Sequence, residues 1–105
     1  MEETNKFWSE SELLELYINC MKFWGLEKQL RMTQEECAEL IIAVSHFIRG
    51  RENSMEDLIE ELADAQLMIN QITHYVGKDK VNEVIYMKAD RVKEELEKTR
   101  CEYNE

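Results

Sequence analysis

The sequence contains no proline and only three glycines, at positions 25, 50 and 77. A β-sandwich or β-barrel needs many tight turns, so this shortage of turn residues disfavours both architectures. Three isolated glycines also cannot build a glycine-rich loop around phosphate groups. The cysteines, Cys20, Cys37 and Cys101, are odd in number and have no CxxC spacing, so neither a disulfide framework nor a zinc motif follows.

Long apolar runs and basic residues are also scarce. No stretch is apolar for long enough to span a membrane, and Glu2 and Glu3 have the wrong charge for a signal peptide. We therefore expect a cytoplasmic protein. With 13 basic and 23 acidic residues the net charge is -10, which repels nucleic acids and anionic membranes. Any binding of phosphate must then be local or depend on a metal ion.

Good helix formers are abundant, and a length of 105 residues predicts a single domain, 1–105. Helical periodicity and end signals predict four helices, the second capped by Thr33 and Glu36. The predicted helices run from Ser9 or Ser11 to Trp24, Thr33 to Gly50, Ser54 to near Gly77, and about Asp79 to Arg100. Residues 26–32 either continue the first helix or form a short separate piece. Short connections predict an all-α, antiparallel four-helix bundle.

Two acid pairs lie at the margin of apolar helix faces. On a helical wheel at about 100° per residue, Glu36 and Glu39 border the apolar stripe of the second helix. Glu61 and Asp64 occupy the same edge of the stripe on the third helix. A short turn between antiparallel helices would direct all four carboxylates into one space.

Four carboxylates in one space repel each other, and burial adds to the penalty, so the cluster needs protons or cations. Mg²⁺, with Mn²⁺ as a second possibility, prefers such oxygen ligands. Either pair alone is common on solvated helices, whereas two pairs in matched phase favour a metal site. Glu36 has a competing interpretation, because a cap partner of Thr33 would not be free to bind metal.

The motif Glu35-Glu36-x-x-Glu39, then residues 40–60, then Glu61-x-x-Asp64 resembles the all-α NTP pyrophosphohydrolase superfamily of MazG-like and dimeric dUTPase-like proteins. The resemblance covers roughly residues 20–95. It implies a MazG fold and Mg²⁺-dependent hydrolysis of a nucleoside triphosphate between the α- and β-phosphates. The products would be a nucleoside monophosphate and pyrophosphate.

The resemblance also assigns roles to residues of this chain. Glu36, Glu39, Glu61 and Asp64 would bind the metal, and Glu35 would orient or deprotonate the attacking water. The substrate-binding candidates are Lys88 and Arg91 for the phosphates, and Trp24 and Gln29 for the base. Lys88 and Arg91 are equally well explained as a solvated face, and Trp24 as a core residue. The preferred base stays open.

Apolar residues outside the narrow stripes, Ile41, Ile42 and Ile59, predict self-association. Members of the family usually pair to complete the bundle, so a homodimer is the first expectation and a homotetramer the second. A different class of function also fits the composition. In that alternative the chain is a non-catalytic helical module that binds a protein partner or a structural metal ion.

Overall fold

The computed structural model describes residues 7–103, and over this range the chain is helical without any β-strand. An all-α fold is therefore confirmed. The helices are α1 Glu10–Trp24, α2 Leu26–Ile48, α3 Ser54–Val76 and α4 Lys78–Tyr103. The predicted bounds of the first, third and fourth helices agree with these to within three residues at each end.

A capping box begins α1. The backbone N–H of Glu12 donates to Ser9 Oγ at 3.2 Å, and the Ser9 N–H donates to Glu12 Oε1 at 2.9 Å. Together they satisfy two of the backbone donors that a helix start leaves unpaired. Gly25, with φ of 88°, is the single residue between α1 and α2. Its positive φ lies in a region that side chains with a Cβ rarely adopt, so glycine ends one helix and permits the next.

The predicted start of the second helix at Thr33 is wrong. Thr33 lies inside α2, and its Oγ1 donates to the carbonyl of Gln29 at 2.8 Å, one turn earlier in the same helix. A threonine inside a helix commonly makes this bond, whereas a cap would accept from an N–H further along. Residues 26–32 therefore belong to the second helix, and Glu36 has no capping role.

The turn at residues 49–53 reverses the chain between α2 and α3. Gly50 and Asn53 have positive φ of 70° and 61°. The Arg51 N–H donates to the His46 carbonyl, and the Ser54 N–H donates to the Arg51 carbonyl, both at 3.1 Å. These bonds fix the turn on both sides, and the two helices continue from it in antiparallel directions.

A polar network crosses the small core of α1, α2 and α3. Gln29 Nε2 of α2 donates to Gln71 Oε1 of α3 at 2.9 Å, and both residues are buried. Asn70 Nδ2 of α3 donates to the hydroxyl of the buried Tyr17 of α1 at 3.3 Å. The buried apolar residues of the described chain are few: Tyr17, Ala43, Ala65 and Met68.

The chain divides into two compact units, Met1–His74 and Tyr75–Glu105. The second unit contains α4, in which no residue is buried. Its apolar residues Val84, Ile85, Val92 and Leu96 are each about half exposed or more. Within the described residues, no helix has the combination of length and apolarity that crossing a membrane requires.

Candidate metal centre

Three carboxylates from two helices meet in the first unit. Glu36 and Glu39 lie one turn apart on α2, and Glu61 lies on α3. One carboxylate oxygen of each residue lies within 4.8 Å of the other two. We call Glu36, Glu39 and Glu61 the carboxylate cluster. It forms because each helix places its acids at the edge of an apolar stripe, and the turn at 49–53 brings these edges together.

Asp64, the fourth predicted ligand, lies outside this group of three. It is partly buried on α3, one turn after Glu61. Its negative charge still contributes to the raised pKa of both Glu36 and Glu61. The hairpin therefore groups Glu61 with both acids of α2, while Asp64 acts electrostatically on Glu36 and Glu61 from outside this group.

The surroundings oppose ionisation of two members of the cluster. Burial is the main cause that raises the pKa of Glu36, and repulsion from Glu39, Asp64 and Glu35 adds to it. Burial also raises the pKa of Glu61, followed by the charge of Glu39 and a hydrogen bond with the Glu39 side chain. A proton or a cation would relieve this repulsion, and at neutral pH a divalent cation does so without displacing the carboxylates.

The hydrogen bonding of the cluster fits a cation. Glu36 Oε2 and Glu61 Oε2 are buried from solvent and have no hydrogen-bond partner. Buried carboxylate oxygens are normally paired, because an unpaired one loses its hydration without replacement. Two such atoms in a cluster of three carboxylates match the oxygen donors preferred by Mg²⁺ and Mn²⁺. Glu36, Glu39 and Glu61 would hold the ion, with Asp64 adjacent.

The other predicted site residues are less closely tied to the cluster. Glu35 is exposed, and its charge contributes to the raised pKa of Glu36. Trp24 ends α1 and is 48% exposed, so it is not a core residue. Its ring packs edge-on against Phe23 at 5.4 Å, and the Lys28 Nζ lies 5.8 Å from its centroid. Trp24 thus presents an aromatic surface to solvent.

Gln29 is buried, and its side-chain amide donates to Gln71. Reading a base with this amide would require breaking that bond. Lys88 and Arg91 are exposed residues of α4, one turn apart, in the second unit. The roles of these three residues in substrate binding stay predictions.

Sequence reasoning missed a cavity beside the cluster. The cavity, of about 180 Å³, is lined by Glu39, Ile42, Ala43, His46, Asp57 and Glu61. His46 follows Glu39 by two helical turns, and Asp57 precedes Glu61 by one turn. Helical spacing from the motif acids could have identified both residues, since positions seven and four apart share a helix face. The cavity extends the cluster toward the turn at 49–53.

No family model, curated protein or solved structure matches the chain. The resemblance to MazG-like proteins therefore rests on the sequence motif and stays a prediction.

Proposed function

We propose that the protein is a Mg²⁺-dependent nucleoside triphosphate pyrophosphohydrolase that cleaves between the α- and β-phosphates. The observation that carries the proposal is the carboxylate cluster, in which oxygens of Glu36, Glu39 and Glu61 lie within 4.8 Å of one another. Isolated acid pairs are usual on solvated helices, but acids that converge from two helices with unpartnered buried oxygens are not. The spacing of the same acids is the basis of the resemblance to MazG-like enzymes.

The proposed hydrolysis assigns separate roles to the bound metal ion and to Glu35. When bound, Mg²⁺ or Mn²⁺ supplies charge neutralisation for the phosphates and lowers the pKa of a water. Glu35, exposed next to Glu36, accepts a proton from the attacking water. A bond forms from the water oxygen to the α-phosphorus, and the bond to the bridging oxygen breaks. Pyrophosphate leaves, and the nucleoside monophosphate is the second product.

The proposed substrate contacts are cations for the phosphates and the exposed ring of Trp24 for the base. With a net charge of -10, the chain repels a triphosphate except near its own cations or a bound metal. Lys88 and Arg91 on α4 are the proposed phosphate ligands. The exposed ring of Trp24 offers a surface on which any base can stack, so it favours no particular base.

Exposed apolar side chains support the proposal that the active form is a homodimer or homotetramer. Ile41 is 70% exposed and Ile59 is 60% exposed, although both lie on long helices of the first unit. Large apolar residues exposed in groups are typical of surfaces that another subunit covers. The few buried residues of the first unit agree with a core that gains from association.

Product analysis tests the reaction directly. Canonical and modified nucleoside triphosphates are incubated with Mg²⁺ or with chelator, using wild type, Glu61→Gln and the matched control Glu60→Gln. Glu60 is an exposed neighbour outside the cluster. We expect monophosphate and pyrophosphate only with metal, a rate at least about 100-fold lower for Glu61→Gln, and near-wild-type activity for Glu60→Gln.

Other results would separate the alternatives. Release of diphosphate and phosphate would mean that a different bond is cleaved. Metal binding that Glu61→Gln weakens, without turnover of any triphosphate, would favour the non-catalytic metal-binding module. Full activity of Glu61→Gln in the presence of Mg²⁺ would mean that the carboxylate cluster is not part of the active site.

A further inference from the structure

An arginine contacts His46, one of the residues that line the cavity beside the carboxylate cluster. Arg51 Nη1 is 3.2 Å from Nε2 of His46, and His46 lines the cavity. A guanidinium group has only donors, so Arg51 donates and His46 Nε2 accepts. This bond places the imidazole proton on Nδ1 and leaves Arg51 with its full charge. The side chain of Arg51 is thus held in place although it is exposed.

The turn also fixes the backbone of Arg51. Its N–H donates to the His46 carbonyl, and its carbonyl accepts from Ser54, both at 3.1 Å. Main chain and side chain of Arg51 are therefore both tied to neighbours, including two bonds to the same histidine. Such preorganisation lowers the entropy lost when a flexible cation binds an anion.

The cavity can bind an anion only if positive charge is present beside it. Its volume of about 180 Å³ corresponds to roughly six water molecules at about 30 Å³ each, which is room for a phosphate group. Its lining includes three acids, Glu39, Asp57 and Glu61, and no lysine or arginine. A phosphate there needs a metal ion at the cluster and a second positive charge from a residue next to the lining.

We propose that Arg51, positioned by His46, binds the terminal phosphate of the leaving pyrophosphate in this cavity. The proposal rests on the proposed function, because it takes the carboxylate cluster as the metal site. Arg51 forms charge-assisted hydrogen bonds to phosphate oxygens through its free guanidinium donors. His46 is a positioning residue that acts through Arg51.

Calorimetric titration of inorganic pyrophosphate into the full chain, with excess Mg²⁺, tests this subsite without turnover. We expect Arg51→Ala to weaken pyrophosphate binding about ten-fold or more, as for loss of a hydrogen bond to a charged group. The matched control is Arg49→Ala, which removes another exposed arginine from the same turn. Its affinity should stay within about two-fold of wild type, a difference expected of an exposed charge without direct contact.

Two histidine variants test the positioning role. His46→Ala releases the guanidinium and should weaken pyrophosphate binding several-fold. His46→Gln retains a side-chain acceptor for Arg51 and should bind nearly as tightly as wild type. A general structural role of His46 would not be rescued by glutamine in this way. Equal losses in both variants would overturn the positioning role.

Failure of the subsite and failure of the proposed function give different results. If triphosphates yield monophosphate and pyrophosphate, but Arg51→Ala binds pyrophosphate as wild type does, the subsite alone is wrong. If wild type binds no pyrophosphate with Mg²⁺, the subsite is also overturned. Absence of triphosphate turnover in wild type would instead count against the proposed function.

Discussion

Replacement of Gln71 by methionine tests whether the buried amide pair holds α2 against α3. Gln29 and Gln71 are only 4% and 6% exposed, and Gln29 Nε2 donates to Gln71 Oε1 at 2.9 Å. Methionine retains the unbranched shape of glutamine but cannot replace its carbonyl. Gln71→Met therefore leaves the Gln29 amide buried without this acceptor.

The expected loss follows from desolvation rather than from the bond alone. A buried polar group without a partner destabilises a protein by about 1–3 kcal/mol, whereas a satisfied neutral hydrogen bond contributes about 1 kcal/mol net. We expect Gln71→Met to lower the free energy of unfolding by about 1–3 kcal/mol. The double variant Gln29→Met/Gln71→Met removes both polar groups and should recover to within about 1 kcal/mol of wild type.

The assay is urea unfolding of wild type, both single variants and the double variant, followed by circular dichroism at 222 nm. Protein concentration is kept constant, because self-association would contribute to apparent stability. Recovery in the double variant is the decisive result. If the two single losses simply add in the double variant, the amides are not coupled and the reasoning is refuted.

Two further predictions concern pH and self-association. The pKa values of Glu36 and Glu61 in the folded chain are raised above the ordinary value of 4.5. Between pH 4.5 and these raised values, the folded chain therefore binds more protons than the unfolded chain. Metal-free stability should therefore fall as pH rises from 4.5 toward neutrality, and less so in Glu61→Gln, as measured by urea unfolding with chelator. A wild-type-to-variant difference that is constant with pH would contradict this. Because Ile41 is 70% exposed, Ile41→Glu should shift the mass measured by light scattering toward monomer, whereas the control Thr99→Glu on α4 should not. An unchanged mass for Ile41→Glu would exclude this face from the interface.

Local signals predict most helix ends but fail at Thr33. Glycine at 25 and 50 and serine at 9 and 54 mark ends or starts that the structure confirms. The pattern of Thr33 and Glu36 is compatible both with a cap and with the interior of a helix. The hydrogen bond of Thr33 to the carbonyl one turn earlier decides between them, and this choice depends on whether residues 26–32 are already helical.

Side-chain periodicity predicts which faces are apolar but not what covers them. The apolar residues of α4 follow a helical stripe, yet Val84 and Leu96 remain about half exposed. A stripe records a tendency to be buried, and the partner surface has to come from the tertiary or quaternary structure. The sequence therefore predicts the helix correctly and leaves its packing undetermined.

The meeting of the motif acids could be predicted, whereas their exact grouping could not. Phase on each helix directs Glu36, Glu39 and Glu61 to a common space. Whether Asp64 joins Glu36, Glu39 and Glu61 within one group depends on the register set by the turn at 49–53, which helix periodicity does not contain. The hydrogen bond of Arg51 to His46 likewise depends on the conformation of that turn.

The turn at residues 49–53 separates positions where chain length can change from positions where it cannot. An extra residue inside α2 between Glu39 and Ile48 would rotate the acids by about 100° relative to the rest of the helix, and shift them by about 1.5 Å. An insertion between Ile48 and Ser54 leaves the phase of both helices unchanged. Insertions and deletions in related chains should therefore accumulate at this turn, where they alter the placement of Arg51 while the acids of each helix keep their own face.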